Sequence, residues 1–286
     1  MGIRRSDLIL EVAENLSADG KKGADWEGVR TLKSRRSGYD VTAMHVTTPE
    51  AADALGKPVG RYVTLDLRPY FRRENGFFAR GVECLRSELT TLLPLCEKSR
   101  SILVVGLGNR ALTADAIGPM ALERLLVTRH MVRDLPRQFM QFTAVEALTP
   151  GVLASTGMET LELVRAVVRE TCPAAVIAVD ALAARSRDRL CATVQLSDTG
   201  LIPGSGVGNH RRALNEETLG IPVIAVGVPT VIDASDLGDT DNGEPLFVTP
   251  RDIDSRVREL SRLVGYGVTL ALQPSLTMDD VTGLLG

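Results

Sequence analysis

The sequence predicts an α/β fold, a three-layer α/β/α sandwich with a mostly parallel or mixed central sheet. Three apolar runs carry that expectation: 102–105, 174–179 and 222–228. Each is short and rich in β-branched residues, as strands buried on both faces of a sheet are. Segments of helical spacing separate them, and strand alternating with helix argues for parallel pairing through crossover connections. No internal repeat or low-complexity linker interrupts the 286 residues, so the whole chain, 1–286, is read as one domain.

In order, residues 7–16 read as a short amphipathic helix, with Leu8, Val12 and Leu16 on one face. Residues 17–36 are polar and rich in Gly and Lys, and read as an exposed connection. Strands are expected at 41–46 and 62–67, the second half-exposed because it alternates. A helix is expected over 84–96, weakened by Pro94 near its end. The strand at 102–105 leads through Gly106 and Gly108 into a loop carrying Asp115, and Pro119 opens a helix to about residue 130. A strand at 142–148 and a helix at 157–170 follow, the latter with Leu161, Val164 and Val168 inward. The strand at 174–179 ends at Asp180. Strands at 192–196 and 222–228 flank a glycine-rich loop at 201–212, and 251–272 closes the chain as a helix.

Bulk properties narrow the function. The net charge of -3 gives no reason to expect direct nucleic-acid binding. No apolar stretch reaches membrane-spanning length, and the start of the chain lacks the apolar core of a signal peptide. The four cysteines show no C-x-x-C pair and no metal-finger spacing, which suits reduced thiols in the cytoplasm.

Four patterns compete for chemistry. Gly106, Gly108 and Ala111 satisfy G-x-G-x-x-A, but the helix start falls too late for a pyrophosphate at its N-terminus, and no acidic residue follows at the right distance. The stretch 202–212 is glycine-rich but lacks the Lys-Ser/Thr ending of a phosphate loop. His210, Arg211 and Arg212 there, with Arg185, are candidates to meet an acidic group by charge complementarity. Asp198-Thr199-Gly200 mimics a pepsin triplet, yet such proteases need two triplets in an all-β chain. Cys172 and Cys191 have no motif that would make either a nucleophile.

The fourth pattern is the pair Asp115 and Asp180, each expected at the carboxyl end of an apolar strand, where open α/β sheets bind ligands. On neighbouring strands the two would face one crevice and share a proton, and one could activate water while the other protonates a leaving amine. The competing reading makes them helix caps. A further alternative makes them metal ligands, with His210, in a metal-dependent peptidase or a metal-sensing maturation protease.

Longer runs then point to a family. Val-Val-Gly-Leu-Gly-Asn at 104–109, Thr-Ala-Asp-Ala-Ile-Gly-Pro at 113–119, Val-Asp-Ala-Leu-Ala-Ala-Arg at 179–185 and Ser-Asp-Thr-Gly-Leu-Ile-Pro-Gly-Ser-Gly-Val-Gly-Asn at 197–209 resemble the germination proteases of endospore-forming bacteria. Shorter matches at 128–130, 150–152, 156–160, 218–233 and 248–250 extend the resemblance over nearly the whole chain. It implies an α/β fold related to hydrogenase-maturation proteases, and an endopeptidase that degrades small acid-soluble spore proteins in the spore core. Its essential aspartates fall on Asp115 and Asp180. No cofactor is implied. A homotetramer made as a zymogen is implied, with self-cleavage after an acidic residue that follows Ser or Thr. Ser6-Asp7-Leu8 fits that form, placing the cut at Asp7–Leu8 and making residues 1–7 the leader. The segment Arg110-Ala111-Leu112 lacks a Trp frequent in the family.

Overall fold

The computed structural model describes residues 6–18, 27–94, 101–205, 211–237 and 246–286. Along the chain run α1 (Ile9–Ala18), β1 (Val29–Arg36), β2 (Tyr39–Val46), α2 (Pro49–Leu55), β3 (Gly60–Asp66) and α3 (Phe77–Leu92). Next come β4 (Ile102–Gly106), α4 (Ile117–Leu122), α5 (Arg129–Asp134), β5 (Val145–Leu148), α6 (Leu153–Thr156) and α7 (Thr160–Thr171). The remainder is β6 (Ala175–Ala184), β7 (Thr193–Ser197), α8 (Glu216–Leu219), β8 (Val223–Asp233), β9 (Phe247–Val248), α9 (Ile253–Leu272) and α10 (Met278–Leu285).

The strands form one mixed sheet in the order β1-β2-β3-β7-β8-β6-β4-β5, with β9 on the far end of β8. β5, β4, β6 and β8 are parallel; β7, β3, β2 and β1 continue the sheet antiparallel. This is the expected α/β/α sandwich. Along β4, Ile102 and Val104 join the core under α3, α4 and α9, while Leu103 and Val105 join the core under α7. All four side chains are buried, so the strand reads as a continuous apolar run. Burial of such a side chain contributes about 1.5–3 kcal/mol. α9 fixes one layer, with Leu260, Leu263, Val264 and Tyr266 wholly buried.

Several expected boundaries shift. The polar connection at 17–36 contains β1, an edge strand paired in full register with β2. Only Val29 in it is buried, so no alternation marked it. β3 is buried at Tyr62, Val63, Thr64 and Leu65 rather than half-exposed, because α3 covers one face while α1 and α2 close over the other. The helix expected from Pro119 to residue 130 is two, α4 and α5. Thr128 parts them: its wholly buried hydroxyl donates to the Thr143 carbonyl and accepts from the Val145 N–H. The helix expected at 84–96 begins earlier, at Phe77, and ends at Leu92, ahead of Pro94.

One shift matters for the site. β6 does not end at Asp180. β4 stops pairing with β6 at Gly106 opposite Val179, but β6 and β8 continue together to Ala184 opposite Ile232, past a bulge at Leu182/Ala183. Asp180 is therefore the first residue of β6 beyond the end of β4. There the sheet steps down and leaves a crevice.

Candidate functional site

Asp115 reaches this crevice from the β4 side. It ends a single helical turn, Thr113–Asp115, between β4 and α4. Its Oδ2 accepts the Asn109 N–H at 2.7 Å, tying the turn to the chain leaving β4. On the β8 side the hydroxyl of Thr230, wholly buried, donates to the Ala114 carbonyl at 2.6 Å. Two glycines permit the close fit. Gly108 has φ +109°, and a Cβ there would collide with the Asp115 carbonyl oxygen and lie 2.9 Å from its Oδ1. A Cβ on Gly118 would collide with the backbone of Leu107 and stand 2.6 Å from the Val179 carbonyl oxygen. The G-x-G pattern thus admits the protein's own backbone. The space a bound pyrophosphate would take beside Gly108 is filled by Asp115.

Asp180 comes from β6 and is buried. Its Oδ1 accepts the N–H of Ala181 at 2.9 Å. Neither aspartate caps a helix with its carboxylate among the described residues. Burial pushes the Asp180 carboxyl well above the ordinary carboxylate range, and the charge of Asp115 pushes it further in the same direction. Asp115 is half-buried, and burial raises it too, opposed by the Asn109 hydrogen bond. The charge of Asp115 thus disfavours ionisation of Asp180, as a neighbouring carboxylate does.

The other sequence candidates fall elsewhere. Arg185 pairs with Asp236 at 3.4 Å, and Arg211 with Glu159 at 3.4 Å, so both guanidiniums already have carboxylate partners. Arg212 is exposed, and His210 lies outside the described residues. Asp198 accepts from the N–H and the Nε of Arg61, both at 2.7 Å, and locks β3 to the end of β7. Burial pushes the Cys191 thiol up to about 12, which leaves no thiolate for nucleophilic attack at neutral pH. Among the described residues no three His, Cys, Asp or Glu side chains converge as a metal would need. None of the described helices is long and apolar enough to cross a membrane.

Neither of two cavities formed by the described residues is lined by Asp115 or Asp180. A cleft of about 470 Å³ opens on the β5 side of the Asp115 loop, between Asn109 and Val152. The larger one, about 850 Å³, lies under α1 against β1–β3 and touches neither aspartate. A third acidic group does approach the pair: the charge of Asp7, just before α1, adds to the rise at Asp180. Sequence reading marked Asp7 only as a cleavage position; its contact with the crevice spans 173 residues of chain and leaves no local signal.

Residues 6–242 match the family model described as germination protease. The chain is 37% identical to a germination protease of Clostridium perfringens, with 98% of each chain covered. It is 35% identical to one of Caldanaerobacter subterraneus, covering 100% of this chain and 98% of the relative. It is 40% identical to one of Bacillus velezensis, covering 98% of this chain and 76% of the relative.

Proposed function

Because the chain belongs to the germination protease family, and so to the peptide-bond hydrolases, we propose that Asp115 and Asp180 are its catalytic pair. The observation that carries this is that burial raises both carboxyls, which come from separate strand ends, and that the charge of Asp115 adds to the rise at Asp180. The substrates in this reading are small acid-soluble spore proteins, degraded in the spore core at germination. The chain also processes itself at Asp7–Leu8, and it works as a homotetramer.

Asp180, the more deeply buried of the two, holds the proton; Asp115, half-exposed and steadied by the Asn109 N–H, is ionised. Asp115 takes a proton from a water as the water oxygen bonds to the carbonyl carbon of the substrate. Asp180 gives its proton to the amide nitrogen, and the carbon–nitrogen bond breaks. The products are a carboxylic acid and an amine, and the proton taken by Asp115 returns the pair to its starting state. General acid–base help of this kind is worth roughly 10²–10⁴-fold per group.

Incubation with a small acid-soluble spore protein, followed by mass mapping, tests this reading. Cuts after acidic residues that persist after exhaustive chelation are expected. Loss of cutting on chelation, restored by a metal, would favour the alternative in which the same carboxylates hold a metal.

A further inference from the structure

Residues 6–9 lie along the tail of β6, on the flank of the crevice. Asp7 is buried, and every polar atom of it has a partner. Its N–H donates to the Ala183 carbonyl at 3.2 Å. One carboxylate oxygen accepts the Ala183 N–H at 2.9 Å, and the other accepts the Ser205 hydroxyl at 2.7 Å. Its carbonyl oxygen accepts twice, from Lys57 Nζ at 3.0 Å and from Gln195 Nε2 at 3.1 Å.

The four donors come from four separate segments: Lys57 between α2 and β3, Ala183 on β6, Gln195 on β7 and Ser205 in the loop after β7. The amide of Gln195 also accepts the Ile9 N–H at 2.9 Å, so one side chain clamps the backbone on both sides of Leu8. Leu8 itself is 1% exposed and packs on Ala184 and Ile232. A plain helix anchor would turn the Asp7 carboxylate onto the first N–H groups of α1. Here it faces away, onto β6 and the loop after β7, and its charge reaches Asp180.

We propose that Lys57, Gln195, Ser205 and the Ala183 N–H form a seat for an acidic residue of a peptide substrate, occupied here by the chain's own Asp7. The seat rests on the peptidase reading above and assigns its specificity. Ser205 and the Ala183 N–H each donate to one carboxylate oxygen, and the Lys57 ammonium adds a positive charge beside it; an amide in its place forms weaker, uncharged hydrogen bonds and has no charge for Lys57 to meet. Lys57 and Gln195 hold the carbonyl of that residue and so fix the bond that follows it. Both are donors aimed at a carbonyl oxygen, which is where negative charge grows as that bond is attacked. Desolvation lowers the Lys57 ammonium while the Asp7 carboxylate supports its charge.

Removing the carboxylate from the seat tests this without requiring catalysis. Fluorescently labelled peptides containing Ser-Asp-Leu, Ser-Glu-Leu or Ser-Asn-Leu are titrated against the full chain carrying Asp7→Ala. The acidic peptides should bind at least tenfold more tightly than the Asn peptide, and more tightly to this variant than to the unaltered chain. Adding Ser205→Ala should reduce the preference for acid over amide, the Ala183 N–H remaining. Adding Lys57→Met should weaken all three peptides, and the acidic ones more, because it removes a charge that meets the carboxylate. Equal binding of acidic and Asn peptides, no binding of either, or an unaltered preference after Ser205→Ala would each overturn the seat. The peptidase reading is scored apart, by cleavage of the Ser-Asp-Leu peptide with Asp115 and Asp180 intact. That cleavage can fail while the binding preference stands, and it can succeed while the preference is absent.

Discussion

Asp180→Asn is expected to reduce peptide cleavage by roughly 10³-fold or more while raising thermal stability. The two halves of this result have one cause. A carboxyl buried beside another carboxyl costs free energy whenever it ionises, and Asn cannot ionise. The Ala181 N–H, which donates to Oδ1 at 2.9 Å, keeps an acceptor in the variant, so the strand is undisturbed. The gain follows from the rise of the Asp180 carboxyl above its value in the unfolded chain. Asp115→Asn should lose activity to the same extent, since the Asn109 N–H also keeps its acceptor.

The pH dependence follows with a definite sign. The folded chain holds a proton at Asp180 that the unfolded chain has released, so stability falls as pH rises from the ordinary carboxylate value through the raised one. Asp180→Asn should flatten that decline. Thermal melts of both variants across pH, beside cleavage assays, check the whole set. Unchanged cleavage in either variant would remove the pair from the mechanism.

Gly108→Ala should be the most damaging small substitution near the site. The residue has φ +109°, which costs an L side chain about 1–3 kcal/mol. The added Cβ would also collide with the carbonyl of Asp115, in a turn that Thr230 holds by the Ala114 carbonyl and the Asn109 N–H holds by the Asp115 carboxylate. A total loss of about 3 kcal/mol or more is expected. The surviving folded fraction should be slower by roughly 10²-fold, the usual effect of a shift near 1 Å at a reacting group. Gly283→Ala, in α10 with nothing within 4 Å of the added methyl, is the control. It should stabilise by about 0.5–1 kcal/mol, because Ala favours the helix interior. Denaturant unfolding of the two variants separates them by sign.

The sequence made the sheet legible where burial on both faces left uninterrupted apolar runs, as at Ile102 to Val105 and Val223 to Val228. It concealed β1 because an exposed edge strand needs no apolar alternation: Lys33, Ser34, Arg35 and Arg36 are exposed and held by backbone pairing with β2, with Arg36 also paired to Glu88 of α3. α2 had readable ends, with Thr48 capping the Ala51 N–H, Pro49 at the first turn and Gly56 left-handed at the close. Seven residues carry too little apolar periodicity to be noticed between them. Asp115 stood out because a strand, two glycines and a carboxylate are close in sequence. Asp180 stood out for its place after an apolar run, although β6 continues beyond it. That continuation depends on pairing with β8, 47 residues further on at Gly227, and pairing over that span leaves no local mark. Lys57, Gln195 and Ser205 were invisible for the same reason: each is an ordinary polar residue until the fold brings it to Asp7.

The pair of aspartates is the centre of the account, and side-chain carboxyl NMR of the chain, titrated from acid to neutral pH, tests it most directly. One proton should persist well above the ordinary carboxylate range at Asp180, with the Asp180 signal also responding as Asp115 ionises, and in Asp180→Asn that step should vanish while the Asp115 step, raised by burial, remains. Two independent titrations at ordinary carboxylate values, unaffected by that substitution, would contradict it.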